Sequence, residues 1–181
     1  MTGNVAAEKP GPLLSAREER PADSDTIRHV NQQAFGEPRE SRLVDTLREN
    51  GGVLLSLVAT LDNRVVGHIL FTPVSVGTGG HWQGAGLGPM AVLPDCQRRG
   101  IGRALIEAGE QKLRAMDCPY IVVLGHPEYY PRFGFEPASR HGLSCEWDVP
   151  DNVFMIRVLD QAKMTGVSGL VHYRREFSNV L

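Results

Sequence analysis

The 181-residue sequence has little of what marks several classes of protein. Its three cysteines, Cys96, Cys118 and Cys145, lie far apart without a CxxC pair, so they predict reduced thiols rather than a disulfide framework or a zinc knuckle. The longest uncharged apolar run, Val53 to Leu61, is less than half of the roughly 20 residues that a membrane-spanning helix needs. The first residues contain no apolar segment typical of a secretion signal. We therefore expect a cytoplasmic protein without a membrane partner.

An excess of charge of one sign is also missing. The 19 Lys and Arg residues against 21 Asp and Glu residues give a net charge of −2, so the sequence predicts no nucleic-acid partner, and any anion site must be local. The six histidines show no metal-ligand spacing, and we expect no metal site. The composition is that of a globular domain, and the length predicts one domain over residues 13–181 after a flexible arm over residues 1–12.

Hydrophobic periodicity predicts an α/β domain. A helix over residues 99–116, with Ile101, Leu105 and Leu113 at helical spacing, follows a strand that Pro94 ends. The wholly apolar run Tyr120 to Leu124 predicts a central strand buried on both faces. The other predicted elements are a strand at 13–20, a helix carrying Ile27, Val30 and Ala34, a helix carrying Leu43, Val44 and Leu47, a hairpin of strands 53–61 and 65–76, a glycine-rich loop at 77–86, a strand at 88–93, a short helix or turn near 128–132, and strands near 153–159 and 170–173.

One run combines a strand end, a basic glycine-containing turn and a helix start: Val92-Leu93-Pro94-Asp95-Cys96-Gln97-Arg98-Arg99-Gly100-Ile101-Gly102-Arg103. The start of a helix exposes unpaired N–H groups and the positive end of the helix dipole, so it can bind phosphate oxygens. Gly100 and Gly102 allow close approach, and Arg98, Arg99 and Arg103 add charge-assisted hydrogen bonds. The run therefore predicts a pyrophosphate site.

Three other interpretations compete with this one. The run lacks the Lys-Ser/Thr ending of a P-loop, which disfavours that motif. No acidic residue follows Gly102 at the distance at which a dinucleotide-binding fold holds a ribose. The third interpretation, that the two glycines only permit tight helix packing while the arginines are solvated, stays open.

The run from Gln97 to Arg103, after a Val-Leu-Pro strand end, resembles the coenzyme A (CoA) signature of the GNAT acetyltransferase superfamily. A second segment, Tyr129-Tyr130-Pro131-Arg132-Phe133-Gly134-Phe135, is similar to that family's aromatic residue four positions before a Gly-Phe pair and points to a branch with a YYPRFGF segment. The order of elements from about residue 14 to 136 resembles the family as well. The resemblance implies a single-domain α/β fold with a mixed, mostly antiparallel twisted sheet flanked by helices. It also implies acetyl-CoA as co-substrate.

The resemblance implies roles for single residues. The strand backbone would bond the pantetheine arm, the turn would hold the pyrophosphate, and Tyr130 would contact the cofactor and protonate the leaving thiolate. The strand residues are Met90, Ala91, Val92 and Leu93, and the turn residues are Gln97, Arg98, Arg99, Gly100, Ile101, Gly102 and Arg103. A phenol suits this role because it is protonated at neutral pH. Tyr130 could instead be a core aromatic residue beside Phe133 and Phe135.

The general base is not fixed by the resemblance. The strand at 88–93 contains no carboxylate, which leaves the base unassigned, and Val123 stands where many family members have asparagine, which leaves the cofactor contacts there open. The candidates are His126, Glu128, His68 and a chain of waters. We prefer His126 because it follows the strand at 120–124 and an unperturbed histidine titrates near neutral pH. It could equally hydrogen-bond only the loop backbone.

The expected reaction is transfer of an acetyl group from acetyl-CoA to an amine of a small molecule or protein, by direct attack in a ternary complex. We expect the acceptor cleft near residues 35–42 and after Tyr130. Glu37 and Glu40 could attract a cationic amine there, or act only as partners of the helix dipole. The alternative is a CoA-binding sensor or partner-binding module without turnover. A homodimer is plausible by resemblance, with the C-terminal strands as candidate contacts.

Overall fold

The computed structural model describes residues 13–77 and 82–179, so the predicted arm at 1–12 lies outside the described residues. Within these ranges the chain forms one mixed, mostly antiparallel sheet flanked by helices, which confirms the predicted α/β fold class. The strands are β1 (Leu14–Glu18), β2 (Leu55–Leu61), β3 (Arg64–Val76), β4 (Trp82–Val92), β5 (Tyr120–Leu124), β6 (Glu136–Pro137), β7 (Leu143–Cys145), β8 (Phe154–Val158) and β9 (Gly169–His172). The α-helices are α1 (Ser24–Phe35), α2 (Arg39–Glu49) and α3 (Ile101–Ala115).

The centre of the sheet holds a parallel pair, β4 beside β5. The main strand order is β1-β2-β3-β4-β5-β8-β6, and α3 makes the crossover that parallel neighbours require. The two strands pair only from Ala85–Ile121 to Leu87–Val123. β4 continues along β3 as far as Val92, with one extra residue in β4 between Leu87 and Met90. Beyond Leu87 the two parallel strands therefore separate, and we call this opening the β4–β5 gap.

The two faces of the sheet pack against different helices. A Cβ on Gly67 would lie 2.9 Å from the Ile101 side chain, and a Cβ on Gly109 would lie 2.5 Å from the Phe71 ring, so the odd-numbered residues of β3 from 67 to 71 face α3. His68 instead contacts Asn31 of α1. Because side chains alternate along a strand, the even-numbered residues of β3 from 68 to 74 face α1. We call the two sides the α3 face and the α1 face.

β4 begins earlier than the sequence predicts. The glycine content of residues 77–86 predicts a loop, but β4 pairs with β3 from Ser75–Trp82 onward. A Cβ on Gly84 would lie 2.3 Å from the Tyr120 ring, and a Cβ on Gly86 would lie 2.7 Å from the Tyr173 ring. These glycines therefore serve close packing of aromatic rings on a strand rather than a loop.

A buried polar network lies on the α1 face. His68 is fully buried, with Nδ1 3.1 Å from Asn31 Nδ2 and Nε2 3.0 Å from Ser56 Oγ. Since the Asn31 amide donates to Nδ1, the imidazole proton lies on Nε2 and is donated to Ser56. Ser56 in turn donates to Glu19, which pairs with Arg48 at 2.8 Å. Burial lowers the pKa of His68 to about 3, so the ring is neutral in the folded protein at neutral pH.

This network predicts a pH-dependent stability. The pKa of His68 falls from 6.5 to about 3 on folding, so between these values the unfolded chain binds one more proton than the folded chain. The contribution to the free energy of unfolding is complete above pH 6.5 and should fall by up to about 1.4 kcal/mol per pH unit as the pH decreases toward 3. Urea unfolding at a series of pH values measures this slope. His68→Gln keeps a polar side chain that does not titrate and should reduce the slope; equal slopes in the two proteins would contradict this account.

Candidate active site

The predicted pyrophosphate turn, residues 97–103, joins β4 to α3. After a short 3₁₀ helix at Pro94–Cys96, the backbone is left-handed at Arg98 (φ 60°) and Gly100 (φ 81°), and α3 begins at Ile101. Ala104 N donates to Gly100 O at 3.0 Å as the first intrahelical bond. The N–H groups of residues 101–103 therefore have no hydrogen-bond partner within the helix. This arrangement suits phosphate oxygens.

The side chains around this basic turn favour an anion. Arg98, Arg103 and Arg132 line the cavity next to the turn, and the first turn of α3 contains no acidic residue. Arg103 lies 3.3 Å from Glu107, but both side chains are exposed and water weakens such a pair. Within the described structure, Arg99 does not line the cavity. The local charge is therefore positive although the whole chain is slightly acidic.

A cavity of about 770 Å³ runs from the basic turn through the β4–β5 gap to the α1 face. Different residues line its wall along this path. At the turn it includes Gly100 and Gly102, in the gap it includes Gly88, Met90, Val92, Leu124 and Gly125, and on the α1 side it includes Phe35 and Leu43. The cavity therefore connects the two faces of the sheet.

At the β4 edge, only every second backbone N–H group faces the gap. Leu93 N donates to Val66 O at 2.9 Å, so this amide is paired within the sheet. Because N–H groups alternate sides along a strand, the amide of Ala91 also faces β3, whereas those of Met90 and Val92 face the gap. Of the four residues expected to bond a pantetheine arm through their backbone, only Met90 and Val92 therefore have N–H groups that face the gap. Val92 O accepts a hydrogen bond from Gln97 Nε2 at 3.2 Å on this side.

Tyr130 lies at the gap, at the start of a 3₁₀ helix over Tyr130–Phe133. Gly125 makes room for it, since a Cβ there would lie 2.1 Å from the Tyr130 ring. The ring packs edge-on against Phe135 with 5.4 Å between centroids and also lines the cavity. Burial raises the pKa of Tyr130 well above its usual value, so its hydroxyl stays an O–H donor at neutral pH. Tyr130 is thus both a core aromatic residue and part of the cavity wall.

Tyr129, for which the sequence pattern predicts no role, lies at the basic turn. A Cβ on Gly102 would lie 2.2 Å from Tyr129 Oη, and the Arg132 guanidinium lies 4.6 Å from the centre of the Tyr129 ring. Both side chains line the cavity. The two consecutive tyrosines therefore occupy different parts of it, with Tyr130 at the gap and Tyr129 at the turn.

The side chains considered as general base are separated in the structure. His126 is exposed and lines the cavity at the end of β5. Glu128 lies beside it in a neighbouring pocket of about 430 Å³. His68 is enclosed in the buried network and is absent from the cavity wall of the described residues. His68 is therefore wrong as a candidate base, whereas His126 lies at the expected end of the strand.

The α1 side of the cavity is built from distant parts of the chain. Phe35 and Glu40 come from the predicted acceptor segment and Leu43 directly follows it, whereas Tyr173 and Phe177 come from the C-terminal segment. Sequence reasoning missed the two C-terminal residues because nothing in their local pattern links them to α2. Glu37 is exposed, lies 3.6 Å from Arg39 and is not part of the described cavity wall.

Two negative findings hold for residues 13–77 and 82–179. No helix there combines the length and apolarity that crossing a bilayer requires. No group of three or more His, Cys, Asp or Glu side chains lies close enough to hold a metal ion.

Known proteins resemble this chain over most of its length. The model of the Acetyltransferase (GNAT) family matches residues 24–135. YhbS of Escherichia coli strain K12, described as an uncharacterized N-acetyltransferase, is 37% identical over 163 residues, which cover 90% of this chain and 97% of YhbS. The crystal structure of Escherichia coli YhbS in complex with CoA has a TM-score of 0.90 and 35% identity, with 96% of each chain covered. A GNAT acetyltransferase of Brucella melitensis in complex with acetyl-CoA has a TM-score of 0.75 and 35% identity, covering 91% of this chain and 98% of its own.

The family model spans more than half of the chain and includes the basic turn, the gap and the tyrosine pair. Relatives above 30% identity extend the match to nearly the whole sequence. On both grounds, this protein is a member of the GNAT family of acetyltransferases.

Proposed function

We propose that this protein transfers an acetyl group from acetyl-CoA to an amine of a small molecule or protein, by direct attack in a ternary complex. The supporting observation is the single cavity that joins the basic turn, the β4–β5 gap and the α1 face. A diphosphate at the turn and a thioester in the gap leave the α1 end for an acceptor. Two relatives hold CoA and acetyl-CoA in their crystal structures, which supports the same ligand here.

The residues present fit this ligand. The amides of residues 101–103 and the guanidinium groups of Arg98 and Arg103 suit the two negative charges of a diphosphate. The amides of Met90 and Val92 suit the amide groups of an extended pantetheine arm, which would bond to β4 as a further strand does. Both sets of donors lie along one cavity, so one ligand can use them together.

In the proposed reaction a neutral amine attacks the carbonyl carbon of the thioester. A C–N bond forms and the C–S bond breaks, giving an amide and the free thiol of CoA. His126 takes the proton that the amine loses, directly or through water, and Tyr130 donates its proton to the sulfur and regains one from solvent. Placing the two substrates together supplies most of the acceleration.

Tyr130→Phe tests the assignment of the proton donor. The substitution removes the hydroxyl but keeps the ring that packs on Phe135 and Gly125. We expect kcat to fall on the order of 100-fold while the dissociation constant of CoA stays unchanged, because the hydroxyl acts only as the sulfur leaves. A thiol-release assay at saturating acetyl-CoA measures kcat, and calorimetry measures CoA binding.

The matched control is Tyr120→Phe. Tyr120 is also a buried tyrosine, and its hydroxyl has no partner among the described residues, but it is not part of the cavity wall described there. An equal kcat for the Tyr130 variant and this control would remove Tyr130 from the mechanism. CoA binding without thiol release for a broad panel of amines would favour a CoA-binding sensor instead.

Arg98→Ala and Arg99→Ala test the placement of the diphosphate. Arg98 lines the cavity and Arg99 does not, within the described residues. Since a charge-assisted hydrogen bond contributes about 1.5–3 kcal/mol, we expect the dissociation constant of CoA to rise at least about tenfold for Arg98→Ala and by less for Arg99→Ala. Calorimetric titration with CoA measures both. Unchanged affinity in both variants would contradict a diphosphate site at this turn.

A further inference from the structure

Two residues of the cavity wall each contain a polar side-chain atom that is buried without a protein partner. Across residues 13–77 and 82–179, buried side-chain atoms without a hydrogen-bond partner occur in Asn31, Glu40, Thr72, Tyr120, Tyr173, Arg174 and Glu176. Among these residues, Glu40 and Tyr173 belong to the described cavity wall. An unpaired buried polar atom is costly, and a ligand that pairs with it recovers that cost. Glu40 and Tyr173 therefore place unused hydrogen-bonding capacity in the wall of the cavity.

Tyr173 lies at the point where the β4–β5 gap opens, on the α1 face. A Cβ on Gly86 would lie 2.7 Å from the Tyr173 ring and 2.9 Å from Val74, which faces α1 by the alternation along β3. Gly86 precedes Leu87, the last residue of β4 that pairs with β5. The basic turn lies at the start of α3. Tyr173 is therefore on the opposite side of the gap from the proposed diphosphate site.

The Tyr173 ring is held firmly in this place. It packs against Trp147 and Phe177, with 5.3 and 5.4 Å between ring centroids, and its backbone N–H donates to Glu146 at 2.8 Å. Only 7% of the residue is exposed. Burial raises the pKa of Tyr173 well above its usual value, so the hydroxyl is neutral and can both donate and accept a hydrogen bond.

The C-terminal segment is also fixed to α2, which supplies Glu40. Glu176 accepts hydrogen bonds from Asn50 at 3.1 Å and from Arg174 at 2.9 Å, and Asn50 directly follows α2. The two walls that supply Glu40 and Tyr173 are therefore tied together.

Glu40 gives this end of the cavity its charge. It lies in the first turn of α2, and its buried Oε2 has no partner in the described structure. A carboxylate oxygen accepts hydrogen bonds only, so its ligand must bring N–H or O–H donors, and a cation pairs best. Phe35, Leu43 and Phe177 line the same cavity and add apolar surface.

Half of this site lies outside the segment that the family model matches. The match ends at residue 135, whereas Tyr173 and Phe177 follow 38 and 42 residues later. The diphosphate turn and Tyr130 lie inside it. The acceptor end of the cavity therefore depends on a part of the chain that the family model does not describe.

We propose that Glu40 and Tyr173 bind the acceptor, and that the acceptor is a cationic primary amine with an apolar body and no carboxylate beside the amine. This inference rests on the proposed acetyl transfer. The ammonium group of the arriving acceptor donates hydrogen bonds to the Glu40 carboxylate and to the Tyr173 hydroxyl, and its body packs on Phe35 and Phe177. The ammonium group first releases one proton to solvent. The neutral amine then attacks the thioester and loses its second proton to His126, as in the proposed reaction.

Three probe amines test the contributions of charge and of apolar contact to binding separately. 2-Phenylethylamine has both required features, L-phenylalanine adds a carboxylate to the same skeleton, and ethylamine lacks the ring. Binding is measured by NMR titration of the full protein saturated with CoA, which does not require turnover. Acetylation is measured separately by thiol release from acetyl-CoA. We expect 2-phenylethylamine to bind at least tenfold more tightly than either of the other two amines.

Two pairs of variants test the residues. Glu40→Gln removes the charge and keeps the shape, and Glu37→Gln is its control because Glu37 is exposed outside the described cavity wall. Tyr173→Phe removes the hydroxyl, and Tyr120→Phe is its control because that hydroxyl is equally buried and unpartnered but not part of the described wall. We expect Glu40→Gln and Tyr173→Phe to weaken binding of 2-phenylethylamine at least tenfold and to raise its KM more than they change kcat. Both controls should match the parent protein.

The outcomes are distinguishable. Equal binding of 2-phenylethylamine to Glu40→Gln and Glu37→Gln, or preference for L-phenylalanine, overturns the inference even if acetyl transfer occurs. Selective loss of binding in Glu40→Gln and Tyr173→Phe supports it even if thiol release is absent, and that absence would overturn the proposed function alone. CoA affinity should be the same in all four variants, and its loss in Tyr173→Phe would show that the hydroxyl serves the coenzyme and contradict the inference.

Discussion

The separation of two parallel strands is the constraint on which the rest of the structure depends. β4 and β5 share pairing only over Ala85–Leu87 and Ile121–Val123, and β4 then follows β3 alone. The opening creates an unpaired strand edge in the middle of an otherwise continuous sheet, where backbone groups need partners. An extended ligand with amide groups supplies such partners. The same opening connects the two faces of the sheet, which lets the two substrates of the proposed reaction approach one another from opposite sides.

The two ends of the cavity carry side chains of opposite charge. Arg98, Arg103 and Arg132 surround the end at the start of α3, while Glu40 lies at the α1 end. A protein with a net charge of −2 thus has a positive local field at one end of the cavity and a negative group at the other, as the proposed diphosphate and amine sites require. Tyr130 lies between them, at the gap, where sulfur would leave.

Features set by short stretches of sequence could be predicted. The basic turn follows from Pro94, the two glycines and the arginines, because strand ending, helix start and anion binding all have local causes. The buried strand β5 follows from an unbroken apolar run. The fold class follows from the order of these elements and from resemblance to a family. Tyr130 could be identified as a candidate site residue from its spacing to Gly134 and Phe135.

Features set by contacts across the chain could not be predicted. Gly84 and Gly86 indicate a loop until the rings of Tyr120 and Tyr173 are known to lie over them. His68 is a residue type that can act as a general base, but its side chain is enclosed by Asn31 and Ser56 from other elements. The alternation that directs the amides of Ala91 and Leu93 to β3 depends on pairing register. The C-terminal wall depends on tertiary packing against α2.

A crystal structure of this protein with CoA tests the central claim most directly. The account predicts diphosphate oxygens within about 2.7–3.2 Å of the amides of residues 101–103, and the thiol in the β4–β5 gap beside Tyr130. It also predicts that the amides of Met90 and Val92 bond to the pantetheine arm. A diphosphate bound away from the start of α3, or a gap filled by side chains with the thiol outside it, would contradict the account.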